Sequence, residues 1–180
     1  LPENHEPVTA VQLSRGKAEA EALFQVALLM QDLGRLASDL LLFYTREFGF
    51  VQLPDAFTTG SSIMPQKRNP DVAELSRGKV GRLVGDLVTL STLLSGLPLG
   101  YHRDLQEDKE GLFDAADTIL ALLRVLPPML ATLTMSPERM ASAAIGGFSL
   151  ATDVADELAR RGVPFREAHE VVGKITAHSL

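Results

Sequence analysis

Three observations predict an all-α fold. Three long segments carry apolar residues at alternating three- and four-residue steps, the spacing of one helix face. Proline, glycine and small hydroxyl residues fall between those segments, where helices start and stop. No stretch of useful length alternates apolar with polar residues, as a half-buried strand would.

The elements follow in order. Leu1 to about Leu13 holds Pro2, Asn4, His5 and Pro7 without a helical period and reads as an extended lead-in. From roughly Ser14 to Glu47, Leu23, Val26, Met30, Leu33, Ala37, Leu40 and Tyr44 form a helical stripe, widened by Leu29, Leu36 and Phe43. A stripe that broad predicts burial on more than one side, in a bundle or at an interface between subunits. Gly49 is the expected stop, and Phe50 to Phe57 leads into a loop.

After Pro70 a second helix is predicted to about Gly96, with Val72, Leu75, Leu83, Leu87, Leu90 and Leu94 on its apolar face. Gly78, Gly81 and Gly85 would each cost roughly 1 kcal/mol against alanine there. Three together predict close approach of another helix or of substrate. Leu97-Pro98-Leu99-Gly100 is a turn, and Asp104 with Glu107 has capping-box spacing for a third helix. Leu112, Ala116, Ile119, Leu123, Leu126 and Leu130 continue that helix until Pro127-Pro128, which should kink or end it.

A domain boundary is expected near Leu133, dividing the chain into 1–133 and a small helical domain over 134–180. In the latter, Ser136-Pro137 starts one helix that Gly146-Gly147 ends, Ser149 opens a second that Gly162 closes, and Pro164 starts the last. There is no internal repeat.

Composition bounds the function. The chain has 180 residues, enough for a sizeable core, and is 46% hydrophobic. It holds no cysteine, which excludes disulfides and thiolate metal sites and fits a reducing compartment, the cytoplasm. A net charge of -6 with scattered Lys and Arg is a poor footprint for nucleic acid. No apolar run reaches the roughly 20 residues of a membrane span, so no membrane partner is expected. The histidines His5, His102, His169 and His178 show no metal-ligand spacing, and no metal or cofactor is expected.

The densest chemistry lies in Thr58 to Asp71, T-T-G-S-S-I-M-P-Q-K-R-N-P-D. Ser61, Ser62, Lys67, Arg68 and Asn69 share a loop that hands over to a helix N-terminus, which favours an anion such as a carboxylate. Gln66 and Arg68 break the phosphate-loop pattern around Lys67. A serine acts as a base only if a cation, backbone amides or a helix dipole stabilises its alkoxide. A catalytic loop and a polar connector both fit these residues. A second cluster, Tyr101 to Glu110, offers Tyr101, Gln106 and Lys109 to a polar ligand, or is a solvated helix end with internal ion pairs.

The stretch G-S-S-I-M-P-Q-K-R-N-P-D-V-A-E-L resembles the signature of the fumarase/aspartase superfamily of lyases. The Gln66 variant, E-F-G-F-V-Q-L-P-D-A-F before it and Q-E-D-K-E after it are similar to the argininosuccinate lyase family in particular. The likeness runs on through G-G-F-S-L-A-T-D-V-A-D and R-G-V-P-F-R-E-A-H-E-V-V-G, from about Glu21 to Ala177. It implies a long-helix bundle with a small C-terminal helical domain, four subunits sharing one core, and sites built from three chains.

The implied reaction is cofactor-free cleavage of argininosuccinate to arginine and fumarate. On this resemblance Ser61 is the general base, Lys67 stabilises the carbanion-like intermediate, and Glu74 pairs with the acid-side histidine. Ser62, Met64, Asn69, Tyr101, Gln106 and Lys109 match substrate-binding positions.

The sequence departs from the family at two places. The family's catalytic histidine and first substrate-binding motifs lie upstream of the part represented, and none of the four histidines matches that position. Pro7 to Ala18 keeps little of the family's N-S-x-D-A-V-S-D-R-D-F. The reading is therefore the C-terminal part of such a lyase, incomplete by itself. The rival readings are a sister lyase acting on adenylosuccinate, fumarate or aspartate, which Gln66 and Q-E-D-K-E disfavour, and a non-catalytic assembly subunit.

Overall fold

A computed structural model describes residues 8–145 and 148–179. Among them are seven α-helices: α1 (Val8–Leu13), α2 (Lys17–Tyr44), α3 (Asp71–Leu94), α4 (Asp108–Thr132), α5 (Pro137–Ile145), α6 (Ala151–Arg160) and α7 (Phe165–Ser179). Two antiparallel ladders of two residues each are the only strands described. β1 (Val51–Gln52) pairs with β4 (Thr134–Met135), and β2 (Thr59–Gly60) pairs with β3 (Arg68–Asn69).

The bundle core is made by α2, α3 and α4, the expected three long helices. Leu23, Met30 and Leu40 of α2, Leu83 and Leu90 of α3, and Ala115, Ile119, Leu122, Leu126 and Met129 of α4 form one buried cluster. Much of the α2 stripe is buried, and Val26, Leu33 and Tyr44 pack against the same cluster. Leu29 and Leu36 stay exposed, as do Phe24, Leu28 and Leu42, so the broad apolar surface of α2 is not covered by this chain.

Several expectations are corrected. Residues 1–7 lie outside the described residues, with His5 among them, but Val8–Leu13 is helical rather than extended. Local bonding is enough for so short a turn: the Ser14 amide donates to Ala10 O and its hydroxyl to Val11 O at 3.0 Å. Helix α2 ends at Tyr44, before Gly49, whose φ of 57° serves the following turn. On α3, Leu75 is 63% exposed, and Ala73 and Ser76 are buried instead. The other predicted positions of that face hold: Leu83 and Leu90 are buried, and Val72, Leu87 and Leu94 pack against the core cluster.

The glycine expectation also changes. A Cβ at Gly78, Gly81 or Gly85 would meet nothing within 4 Å in this chain. A second helix instead comes closest to Gly34 of α2, where an added Cβ would lie 2.5 Å from Val80 Cγ2, and a Cβ on Gly111 of α4 would lie 3.4 Å from Asp86 of α3.

No capping box forms at Asp104 and Glu107. A 3-10 turn, Arg103–Glu107, precedes α4, and Glu107 caps it without a side-chain hydrogen bond. Pro127 and Pro128 do not end α4, which runs on to Thr132. Leu126 and Met129 flank the prolines at 3% and 0% exposure, so core burial on both sides outweighs the lost backbone bonds. The buried stripe of α4 passes through Leu122 rather than Leu123, which is 42% exposed. With the preceding turn, residues Arg103–Thr132 are long and apolar enough by composition to cross a bilayer, which corrects the expectation that no run is. Ala115, Ile119, Leu122, Leu126 and Met129 of this segment pack into the bundle core.

Beyond Leu133, β4 returns to β1, and the Ser136 amide donates to Phe50 O at 2.9 Å. Pro137 opens α5 as expected, while the predicted stop at Gly146-Gly147 lies outside the described residues. Ser149 does not cap α6; its hydroxyl donates to the Ala144 carbonyl, and Leu150 takes the cap position. Gly162, at φ 97°, closes α6, and the Pro164 carbonyl accepts the first amides of α7. Ala155, Ala168 and Val172 form a second small core between α6 and α7.

Candidate functional site

The signature loop is an arch standing on a tied base. The β2–β3 ladder pairs Thr59 with Asn69 and Gly60 with Arg68, so residues 61–67 form the arch. Three side chains brace that base. Arg68 Nε donates to Asp55 Oδ1 at 3.0 Å, the Thr59 hydroxyl donates to the Asp71 carboxylate, and the Tyr44 hydroxyl donates to Arg68 O at 3.4 Å. The last of these joins the loop to the end of α2. Burial pushes the Tyr44 phenol above its ordinary range, so it stays a protonated donor.

Within the arch, Ser61 Oγ accepts two backbone amides, Ile63 N at 3.3 Å and Met64 N at 3.2 Å, and the Lys67 amide donates to Met64 O at 3.0 Å. The serine oxygen therefore sits in a small nest of amide dipoles, which favours negative charge there. Ser62 and Met64 are exposed at the crest, beside Ile63 at 87% exposure.

Behind the arch lies a cleft of about 600 Å³ lined by Lys67, Asn69 and Glu74 together with Tyr44, Arg46 and Arg77. Lys67 and Asn69 come from the descending limb of the arch, Glu74 from the first turn of α3, whose positive end faces the same space. Cations outnumber carboxylates around the cleft, which suits an anionic ligand. Ser61 stands on the arch and is not in the cleft wall.

Tyr101, Gln106 and Lys109 are elsewhere. The Lys109 ammonium bonds the Glu19 carboxylate and, at 3.1 Å, Asp108 Oδ2, which places it at the first turn of α2. Tyr44 marks the last turn of the same helix. A rise of about 1.5 Å per residue puts those ends roughly 37 Å apart. The Glu19 contact raises the Lys109 pKa, and the same contact lowers that of Glu19. Of the nine residues singled out, the structure brings Lys67, Asn69 and Glu74 to one cleft, holds Ser61, Ser62 and Met64 on the arch beside it, and places the other three at the far end.

Sequence reasoning missed Tyr44, Asp55, Asp71 and Arg77. Tyr44 ends the α2 stripe and packs on the core, so its pattern signals packing and not the hydroxyl that reaches Arg68 O. Arg77 could have been found, since it lies three residues after Glu74 and so shares its helix face. No group of side chains suited to a metal ion occurs among the described residues.

Comparison with known proteins places these features in a family context. Residues 1–85 match the family described as Lyase, and residues 148–180 the family described as Argininosuccinate lyase C-terminal. An argininosuccinate lyase of Desulforamulus reducens is 60% identical over 154 residues, covering 86% of this chain and 34% of that protein. One from Frankia casuarinae is 60% identical over 158 residues, covering 88% of this chain and 34% of the relative. The chain thus spans about a third of the length of these curated relatives. A crystal structure of EDDS lyase with formate is similar at 34% identity and a TM-score of 0.69, covering 89% of this chain and 32% of that one. A class II fumarase of Schistosoma mansoni, 19% identical, shares the fold with a TM-score of 0.78 over 91% of this chain and 33% of its own.

Proposed function

The chain belongs to the argininosuccinate lyase family, and we propose that it supplies the signature-loop half of an active site that eliminates arginine from argininosuccinate, releasing fumarate. The observation that carries this reading is the Ser61 nest: a hydroxyl oxygen held by two amides on an arch above a cationic cleft.

Each residue then has a chemical task. Ser61, as alkoxide, takes the proton from the substrate carbon next to a carboxylate and becomes the neutral hydroxyl. The amides of Ile63 and Met64 lower the cost of that alkoxide. The electron pair left on carbon delocalises into the neighbouring carboxylate, where Lys67 and Asn69 meet the charge that builds up. Collapse of that intermediate forms the fumarate double bond and breaks the carbon–nitrogen bond, and the leaving guanidino nitrogen takes a proton. Glu74, at the α3 start, orients the group that delivers it. That group, in this reading, is a histidine upstream of the present residues.

Tyr101, Gln106 and Lys109 join the site from another copy. Roughly 37 Å of helix separates Lys109 from the loop in one chain, so a single substrate reaches both only across subunits. The reading includes a homotetramer built on the long helices. In its favour, Leu75, Val88, Phe24, Leu28, Phe113 and Leu120 are exposed apolar residues on all three helices, and Gly78, Gly81 and Gly85 leave room for a close neighbour. The division near Leu133 into a bundle segment and a small domain, and a cytoplasmic setting, belong to the same proposal.

The test is fumarate release from argininosuccinate by the purified chain, alone and mixed with the N-terminal portion of a related lyase. Turnover in the mixture, lost on Ser61→Ala, is the expected result. Silence in a mixture shown to assemble would sink the reading.

A further inference from the structure

Arg68 stands between two residues of the candidate site. Lys67 and Asn69, its neighbours in sequence, both line the cleft behind the arch. The arch buries none of its own side chains, so packing does not fix where they point. Arg68 is fixed instead, at three places. Its backbone pairs with Gly60 in the ladder, its Nε donates to Asp55 Oδ1 at 3.0 Å, and its carbonyl accepts the Tyr44 hydroxyl at 3.4 Å. The side chain runs across the opposite strand: a Cβ on Gly60 would lie 3.3 Å from Arg68 Nη1, so glycine there leaves the guanidinium its path.

Both partners are rooted in the bundle core. Tyr44, the last residue of α2, packs against the core cluster. Asp55 opens a 3-10 turn, Asp55–Phe57, whose Phe57 packs against the same cluster, and nearby Leu53 is part of it. The two roots are separate, and each holds a different part of Arg68. Asp55 holds the guanidinium, and Tyr44 holds the carbonyl, which lies in the rigid peptide plane shared with Asn69. The side chains of Asp55 and Arg68 are 81% and 47% exposed, so their ion pair adds little to global stability. Its consequence is local.

We infer that Asp55 and Tyr44 are positioning residues: by clamping the side chain and the carbonyl of Arg68, they aim Lys67 and Asn69 into the cleft. What the clamp serves rests on the lyase reading. Lys67 and Asn69 stabilise developing charge only from preorganised positions, and a displacement of about 1 Å can cost up to a hundredfold in rate. Asp55 and Tyr44 act through Arg68 and not on the reacting atoms.

Two measurements separate the clamp from the chemistry. Hydrogen exchange of the 180-residue chain reads the ladder without substrate. In Asp55→Ala and in Tyr44→Phe the bonded amides of the two ladder strands should exchange roughly fivefold faster, the scale of one exposed ion pair or hydrogen bond, with the core amides of α3 unchanged. In the mixture with the N-terminal portion of a related lyase, kcat for fumarate release should fall by a similar factor with KM within about twofold, the mark of an interaction felt in the transition state. Asp55→Ala combined with Arg68→Gln should lose no more than either alone, because both break one bond. Tyr44→Phe keeps the ring on the core, so it decides the matter if Asp55→Ala disturbs the turn. Parent exchange rates in both variants, parent kcat in both, a loss confined to KM, or additive losses in the double variant would overturn the proposal. A parent mixture that assembles and releases no fumarate would overturn the lyase reading instead, and the exchange rates would then decide the clamp by themselves.

Discussion

The Lys109 ammonium donates to the Glu19 carboxylate, tying the first turn of α4 to the first turn of α2 across 90 positions of sequence. Each partner shifts the other: Glu19 is lowered and Lys109 raised, both chiefly by this bond. A lowered carboxylate contributes stability above its unfolded value that is lost as pH falls through the folded one. A raised ammonium contributes below its unfolded value and loses it as pH rises through the folded one. The pair should therefore stabilise fully between about pH 4.3 and 10.4, the ordinary values, and fail beyond both ends. Because Lys109 is about half exposed, Glu19→Gln should cost no more than about 1 kcal/mol. Urea melts at neutral pH and near pH 3 check this; an equal cost at both would contradict it.

Ser61→Ala removes the acceptor for the Ile63 and Met64 amides but touches no core residue. Thermal stability should stay within about 0.5 kcal/mol of the parent. Turnover in the reconstituted mixture should fall at least a hundredfold, the scale of losing one electrostatic stabiliser, and fumarate release measures it directly.

Two leucines of α3 that share one apolar pattern differ in burial. Leu83 is fully buried, and Leu83→Ala should cost about 2–5 kcal/mol. Leu75→Ala, at 63% exposure, should change the stability of the isolated chain by less than about 0.5 kcal/mol. Chemical denaturation of the two variants at a concentration where the chain is monomeric tells them apart. Similar losses would mean that the exposed leucine is covered.

Gly34→Ala and Gly81→Ala should move in opposite directions. At Gly34 the new methyl meets Val80 at 2.5 Å and should destabilise by about 1–3 kcal/mol. At Gly81 it meets nothing in this chain, so the helix should gain up to about 1 kcal/mol. If another copy packs on that face, Gly81→Ala should also weaken self-association in sedimentation while raising the melting temperature of the monomer.

The sequence by itself determined the helical class, the three long helices to within a few residues, and the polar loop that carries Ser61 and Lys67 into the start of α3. Those are local facts: a 3.6-residue period, a proline at a helix start and a run of polar residues are present in the chain before it folds. Only the tertiary structure decided that Pro127 and Pro128 stay inside α4, that Leu75 and Leu123 face outward, and that Gly34 rather than Gly78, Gly81 or Gly85 takes the close contact. Each of these is set by what lies opposite, and a linear pattern carries no record of the neighbour. The same holds for the two polar clusters. Their residues read alike as ligand-binding chemistry, but Asn69 stands at the start of α3 and Lys109, at the start of α4, meets the first turn of α2, so the long helices of one chain hold the two clusters at opposite ends of the bundle.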